Sequence, residues 1–252
     1  IRGYGRSTRP PEMAQPPEAN PPIVRGDVAV ADIGTAAAFI RSHRSLPRIM
    51  HMGWSWGSTL MGRFAADNPT LVERLVLFAP PWLREGASPA AAGAGETLGA
   101  YRMVTQAQAR ARWMAGVPEA KRAALIPPGW FEHWAGVTWA TDPEGLRRNP
   151  QVLRAPNGVL LDSREYARAG RPYWDPGKVT APTLLVYGDY DAVRISHATQ
   201  FFELLGGGKA DGGWQGEGMT PNRFAVLQGT THYHMNESTR MAEEVVRFLD
   251  SQ

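Results

Sequence analysis

The stretch PRIMHMGWSWGSTLMGRFAADNPTLVERLVLFAP, residues 47–80, limits the fold more than any other part of the sequence. A short apolar run with Ile49 and Met50 at its centre stops at Gly53. A helix-compatible segment then runs until Pro69, and a β-branched and leucine-rich run ends against Pro80 and Pro81. Strand, sharp turn, helix, strand is a right-handed βαβ unit, and such a unit demands a parallel sheet. The expected class is therefore α/β.

The rest of the chain is read outward from that unit. Its 252 residues suit one α/β domain, or one carrying a large insertion. The opening IRGYGRSTRPPEMAQPPEANPP is dense in Gly and Pro and reads as loop. A helix is predicted in VRGDVAVADIGTAAAFIRSH, capped by Asp27, with Val28, Ala31, Ala36, Phe39 and Ile40 as its apolar stripe. From Leu83 to Lys178 the texture changes to Ala, Arg, Trp and Pro with helical periods and no strand pattern. Thr105 with Gln108 forms a capping-box pair ahead of QAQARARWMAG, and EAKRAALI and PGWFEHWAGVTWA read as further helices. Strand and helix alternation resumes with PTLLVYG, SHATQFFELL, RFAVLQG and STRMAEEVVRFLD. A glycine-rich surface excursion, LGGGKADGGWQGEGMTPN, separates the last two pairs. The predicted organisation is a core of residues 1–82 and 179–252 interrupted by a helical insertion of residues 83–178.

Composition excludes several classes. An apolar share of 43% and a charged share of 20% fit a packed core. The net charge of +3 comes from 27 cationic and 24 acidic residues that are interspersed, so no nucleic-acid footprint is expected. Cysteine is absent, which removes disulfides, thiolate nucleophiles and cysteine metal sites. No apolar run is long enough to span a membrane, so no membrane partner is expected. IRGYGRSTRP offers neither a signal core nor an initiator Met, and the expectation is a cytoplasmic chain that is processed or a fragment.

Gly53, Ser55 and Gly57 satisfy G-x-S-x-G at the end of a strand and the start of a helix. Small flanking residues let a serine on a strained turn project its Oγ above the sheet edge. The helix N-terminus behind it favours a developing oxyanion. The same glycines also suit an ordinary tight turn, so a base and an acid are needed. His43, His51, His133 and His197 have structural explanations. His232 follows RFAVLQG at the same sheet edge as Ser55, where loops after parallel strands converge. His234 competes with it. Asp191 follows PTLLVYG in the same way and suits the partner of His232 Nδ1, with Asp189 as its competitor.

The chain order Ser, Asp, His, with RGYGRS, GWSWGSTL, RLVLFAPP, PTLLVYGDYDAV and GTTHYH, resembles the α/β-hydrolase superfamily in its lidded branch. The resemblance implies a mostly parallel sheet flanked by helices, with residues 83–178 as a helical lid. It implies Ser55, Asp191 and His232 as a catalytic triad, with the backbone N–H of Trp56 as an oxyanion donor. No metal or organic cofactor is implied. The family's first strands and its histidine-glycine loop precede the R-G-x-G-x-S segment, so the chain is expected to start mid-fold. Self-association or a missing N-terminal segment would then cover an exposed sheet edge.

Serine at position 55, rather than aspartate, argues against dehalogenase and epoxide hydrolase chemistry and leaves acyl transfer to water. Trp54, Trp130 and Trp134 are candidate walls of a pocket for a small or medium hydrophobic ester; packing of the lid onto the core is the competing explanation for each. SWGSTL with RGYGRSTRP also resembles proline iminopeptidases, which read a free amino terminus with acidic lid residues. Here Glu132, Asp142 and Glu144 are available within an arginine-rich insertion that shows no clear acidic pair. The substrate expected is a small-molecule ester, ahead of an amide. A catalytically inactive fragment is the further alternative.

Overall fold

The computed structural model describes residues 1–81, 97–233 and 239–251, apart from the side chain of Leu125. Among these residues the strands are β1 (Ile49–Trp54), β2 (Val72–Phe78), β3 (Tyr101–Thr105), β4 (Val152–Pro156), β5 (Thr183–Tyr190) and β6 (Arg223–Thr231). The α-helices are α1 (Gly26–Arg44), α2 (Trp56–Asp67), α3 (Gln106–Trp113), α4 (Glu119–Leu125), α5 (Trp130–Trp139), α6 (Pro143–Leu146), α7 (Gly158–Ala169), α8 (Ile195–Leu204) and α9 (Thr239–Leu249). The chain divides into two compact units, Ile1–Asp32 with Gly86–Arg168, and Ile33–Glu85 with Ala169–Gln252.

The second unit holds a four-stranded sheet in the order β1-β2-β5-β6, parallel throughout. Strands β2 and β5 are the inner pair, and their near-continuous apolar runs are what a strand buried on both faces requires. Leu75, Val76, Leu77, Leu184, Leu185 and Val186 are all buried. Strand β1 lies at the edge and alternates: His51 is buried, whereas Met50 and Met52 face solvent. Helix α2 packs on β1 and β2, and its Leu60, Phe64 and Ala65 are buried. Gly62 lets it approach Trp174, because a Cβ there would stand 2.1 Å from the indole. The helix stops at Asn68, whose backbone N–H and side-chain amide both donate to the Phe64 carbonyl.

The first unit departs from the expectation of helices without strands between Leu83 and Lys178. Its strands β3 and β4 form an antiparallel pair, with Tyr101 opposite Pro156 and Thr105 opposite Val152. YRMVT and VLRAP are short and carry an arginine each, so they lack a strand-like apolar alternation. Strand β4 also carries one half of a buried ion pair. Arg154 donates to both Asp142 oxygens and to the Met13 carbonyl. Burial works to raise the Asp142 pKa, and the hydrogen bonds and charge of Arg154 more than offset it. The Thr105–Gln108 capping box opens α3 as expected.

Helix α1 corrects two expectations. Asp27 lies within its first turn rather than ahead of it, and the Gly26 amide donates to Asp162 of α7 at 2.7 Å. The anticipated stripe of Val28, Ala31, Ala36, Phe39 and Ile40 faces solvent, while Ala29, Ile33 and Ala37 are buried. Both faces of this helix are apolar, so the sequence pattern alone does not choose between them.

Candidate active site

Ser55 sits between the last residue of β1 and the first of α2 with φ 53° and ψ −123°. A positive φ in a residue with a Cβ costs about 1–3 kcal/mol and persists only where the surroundings enforce it. Here they do so from both sides. The Ser55 N–H donates to the Phe78 carbonyl at 2.9 Å, and its own carbonyl accepts from the Ser58 and Thr59 amides at 3.0 and 3.2 Å. The Ser58 hydroxyl donates to the same carbonyl. Gly53 is required for this turn, because a Cβ there would lie 2.6 Å from the Gly57 carbonyl oxygen and 2.7 Å from the Ser58 Cα. Gly57 is not required on the same ground: a Cβ on it meets nothing within 4 Å. The expectation that both glycines relieve collisions therefore holds for Gly53 alone.

Strand β6 ends at Thr231, and the next residue brings its imidazole to the turn. His232 Nε2 lies 2.9 Å from Ser55 Oγ, and His232 Nδ1 lies 2.9 Å from Asp191 Oδ1. A buried carboxylate is an obligate acceptor, so Nδ1 carries the proton and donates it to Asp191. Nε2 is then the acceptor for the Ser55 hydroxyl. The Asp191 side chain is fully buried, while that of His232 keeps a small exposed surface. Asp191 Oδ1 also accepts from the Val193 amide at 2.8 Å, which fixes the carboxylate in the turn after β5. Its Oδ2 is buried with no hydrogen-bond partner among the described residues. Burial, reinforced by the Asp191 charge, pushes the nearby Tyr187 phenol well above its ordinary pKa.

The two aspartates of GDYD separate cleanly. Asp189 accepts the Thr230 amide at 3.1 Å and braces the end of β6, whereas Asp191 meets the imidazole. His234 lies outside the described residues. His51 is a core residue: it packs on Phe64 with ring centroids 5.1 Å apart, and burial lowers its pKa. His43 stacks on Phe39 along exposed α1.

Trp56 is the first residue of α2, so its amide belongs to the positive end of the helix next to Ser55. Trp54 ends β1, and its indole N–H donates to the His232 carbonyl at 3.0 Å. That contact has no sequence signal, because the two residues are 178 positions apart. Trp130 and Trp134 belong to the other unit, where both pack against Trp113, at 4.9 and 4.6 Å between ring centroids. Among the described residues no cluster of His, Asp and Glu is arranged to hold a metal ion. None of their helices is long and apolar enough to cross a membrane.

A Ser–His–Asp chain of hydrogen bonds at the mouth of a parallel sheet can transfer a proton from a hydroxyl as that hydroxyl attacks a carbonyl. Comparison with known proteins bears on the family and the fold. A family model described as alpha/beta hydrolase fold matches residues 1–202. Among solved structures, the thioesterase domain from the curacin biosynthetic pathway is similar with a TM-score of 0.54 at 16% identity, over 99% of this chain and 79% of its own. The Paleococcus ferrophilus monoacylglycerol lipase gives 0.54 at 15% identity, over 99% and 79%. The meta-cleavage product hydrolase from Pseudomonas fluorescens gives 0.58 at 16% identity, over 90% and 72%. Similarity at these identities speaks for the fold alone. The search of curated proteins gives no match.

Proposed function

Because the chain belongs to the α/β-hydrolase fold family, we propose that it is a serine hydrolase that cleaves a small or medium-sized hydrophobic carboxylic ester through an acyl-enzyme intermediate. The observation that carries this reading is the continuous chain from Ser55 Oγ through His232 to Asp191, with both links at 2.9 Å. Ser55 Oγ attacks the ester carbonyl carbon as His232 Nε2 takes its proton, and Asp191 stabilises the imidazolium that forms. The tetrahedral oxyanion is met by the Trp56 amide at the N-terminus of α2. Collapse expels the alcohol, which receives the proton from His232. Water then attacks the acyl-enzyme with His232 again as base, releasing the acid and restoring Ser55.

The aminopeptidase alternative needs carboxylates available for a substrate's ammonium group. In the first unit Glu132 pairs with Arg110, Glu144 pairs with Arg147, and Asp142 is buried against Arg154. Each acidic residue named for that role already has an arginine partner, which favours the ester.

The test is intact-mass analysis after incubation with a fluorophosphonate, beside p-nitrophenyl butyrate hydrolysis. A single adduct is expected on the wild type and none on Ser55→Ala. Asp191→Asn, which leaves the imidazole in the wrong tautomer, is expected to lower kcat by about 10⁴-fold. An adduct that survives Ser55→Ala, or an unlabelled wild type, would remove the assignment.

A further inference from the structure

Strands β1 and β6 occupy opposite edges of the four-stranded sheet, with β2 and β5 between them. Ser55 follows the first and His232 the second, so their alignment is transmitted through three strand pairings unless something ties the two ends directly. Trp54 makes such a tie. Its indole Nε1–H donates to the His232 carbonyl at 3.0 Å, and its ring packs on the imidazole with centroids 5.5 Å apart and planes tilted by 39°. Tyr233 completes the support, edge-on to both rings at 5.8 and 5.2 Å. The contact therefore restrains the backbone of His232 and one face of its ring together.

We propose that Trp54 is a positioning residue: its indole N–H fixes the His232 backbone so that the imidazole stays in line with both Ser55 and Asp191, and its ring face backs the imidazolium formed during acyl transfer. Three features of the site support this. The donor is the residue immediately before Ser55, so it moves with the serine turn. The acceptor is the carbonyl of the histidine itself. The indole lies within the distance at which an aromatic face attracts a cation, about 6 Å from the centroid. A phenyl ring at position 54 would keep a face beside the imidazole but lose the tie.

The kinetic consequence rests on the hydrolase reading; the geometric one does not. In Trp54→Phe, kcat is expected to fall by about ten- to a hundredfold, the loss that sub-ångström to ångström misplacement of a reacting group produces. KM should stay within about twofold of wild type, since a tie to the His232 carbonyl contributes no ground-state binding. Fluorophosphonate labelling should slow yet still reach one adduct. Independently of any substrate, the low-field proton resonance of His232 Nδ1–H bonded to Asp191 should be sharp in the wild type and broadened in Trp54→Phe. Should Trp54→Phe fail to fold, benzothienylalanine in place of Trp54 keeps the indole shape without the N–H and is expected to give the same two results. Wild-type labelling with an unchanged Nδ1–H resonance would overturn the proposal. So would a rise in KM alone, which is the signature of a pocket wall. If the wild type is not labelled at all, the hydrolase reading falls, and the resonance comparison still decides the role of Trp54.

Discussion

At the scale of single residues, position 191 and position 189 differ by two places in sequence and by hydrogen-bond partner in space. One carboxylate accepts from the imidazole and the other from a strand-end amide. The sequence identified the turn and favoured Asp191 over its competitor Asp189, but not the direction of either side chain, because each direction in a tight loop is set by partners in another strand. Ser55 and His232 were legible, since the residue after a parallel strand is placed by the strand itself. The use of the Trp54 N–H was not, as its acceptor is remote in the chain. Buried His51 carries a pH prediction. Burial lowers its pKa, so the folded state binds fewer protons there than the unfolded chain does. Its contribution is complete above the unfolded pKa of about 6.5 and is lost as pH falls from there toward the folded value. Denaturant titrations at about pH 7.5 and 5.5 should give a lower stability at the acid end, and His51→Leu should reduce that difference. An unchanged slope in the variant would assign the effect to other groups.

At the scale of elements, the inner strands were readable because a strand buried on both faces announces itself as an apolar run. The pair β3 and β4 was not readable: both strands are short, and the arginine of β4, Arg154, is buried with its charge neutralised only in three dimensions. Helix α1 was recognised, but with the wrong face inward, since Ala29, Ile33 and Ala37 are no more apolar than the exposed Phe39 and Ile40. The turn between β1 and α2 separates its two glycines in a measurable way. Gly53→Ala forces backbone against backbone and is expected to cost about 1–3 kcal/mol, with loss of labelling at Ser55. Gly57→Ala meets open space in a helical segment and is expected to change stability by less than about 1 kcal/mol. Equal destabilisation by both would contradict the geometry at Gly53.

At the scale of the whole molecule, the sheet unit is discontinuous, drawn from residues 33–85 and 169–252. The parallel sheet was legible from βαβ logic; residues 1–25, dense in Gly and Pro, carry no period that reveals what they pack on, and they group with residues 86–168. The 177 positions between Ser55 and His232 make their hydrogen bond among the least local in the chain, and loop closure on that span is slow to be repaid. On the proposed reading, Ser55 therefore becomes reactive only after β6 has docked. In refolding experiments, acquisition of a fluorophosphonate adduct should lag the return of far-ultraviolet helix signal and coincide with the slowest phase of tryptophan fluorescence; labelling that runs ahead of that phase would contradict the expectation. The geometry at one serine thus serves as a clock for completion of the sheet, readable without any knowledge of the natural substrate.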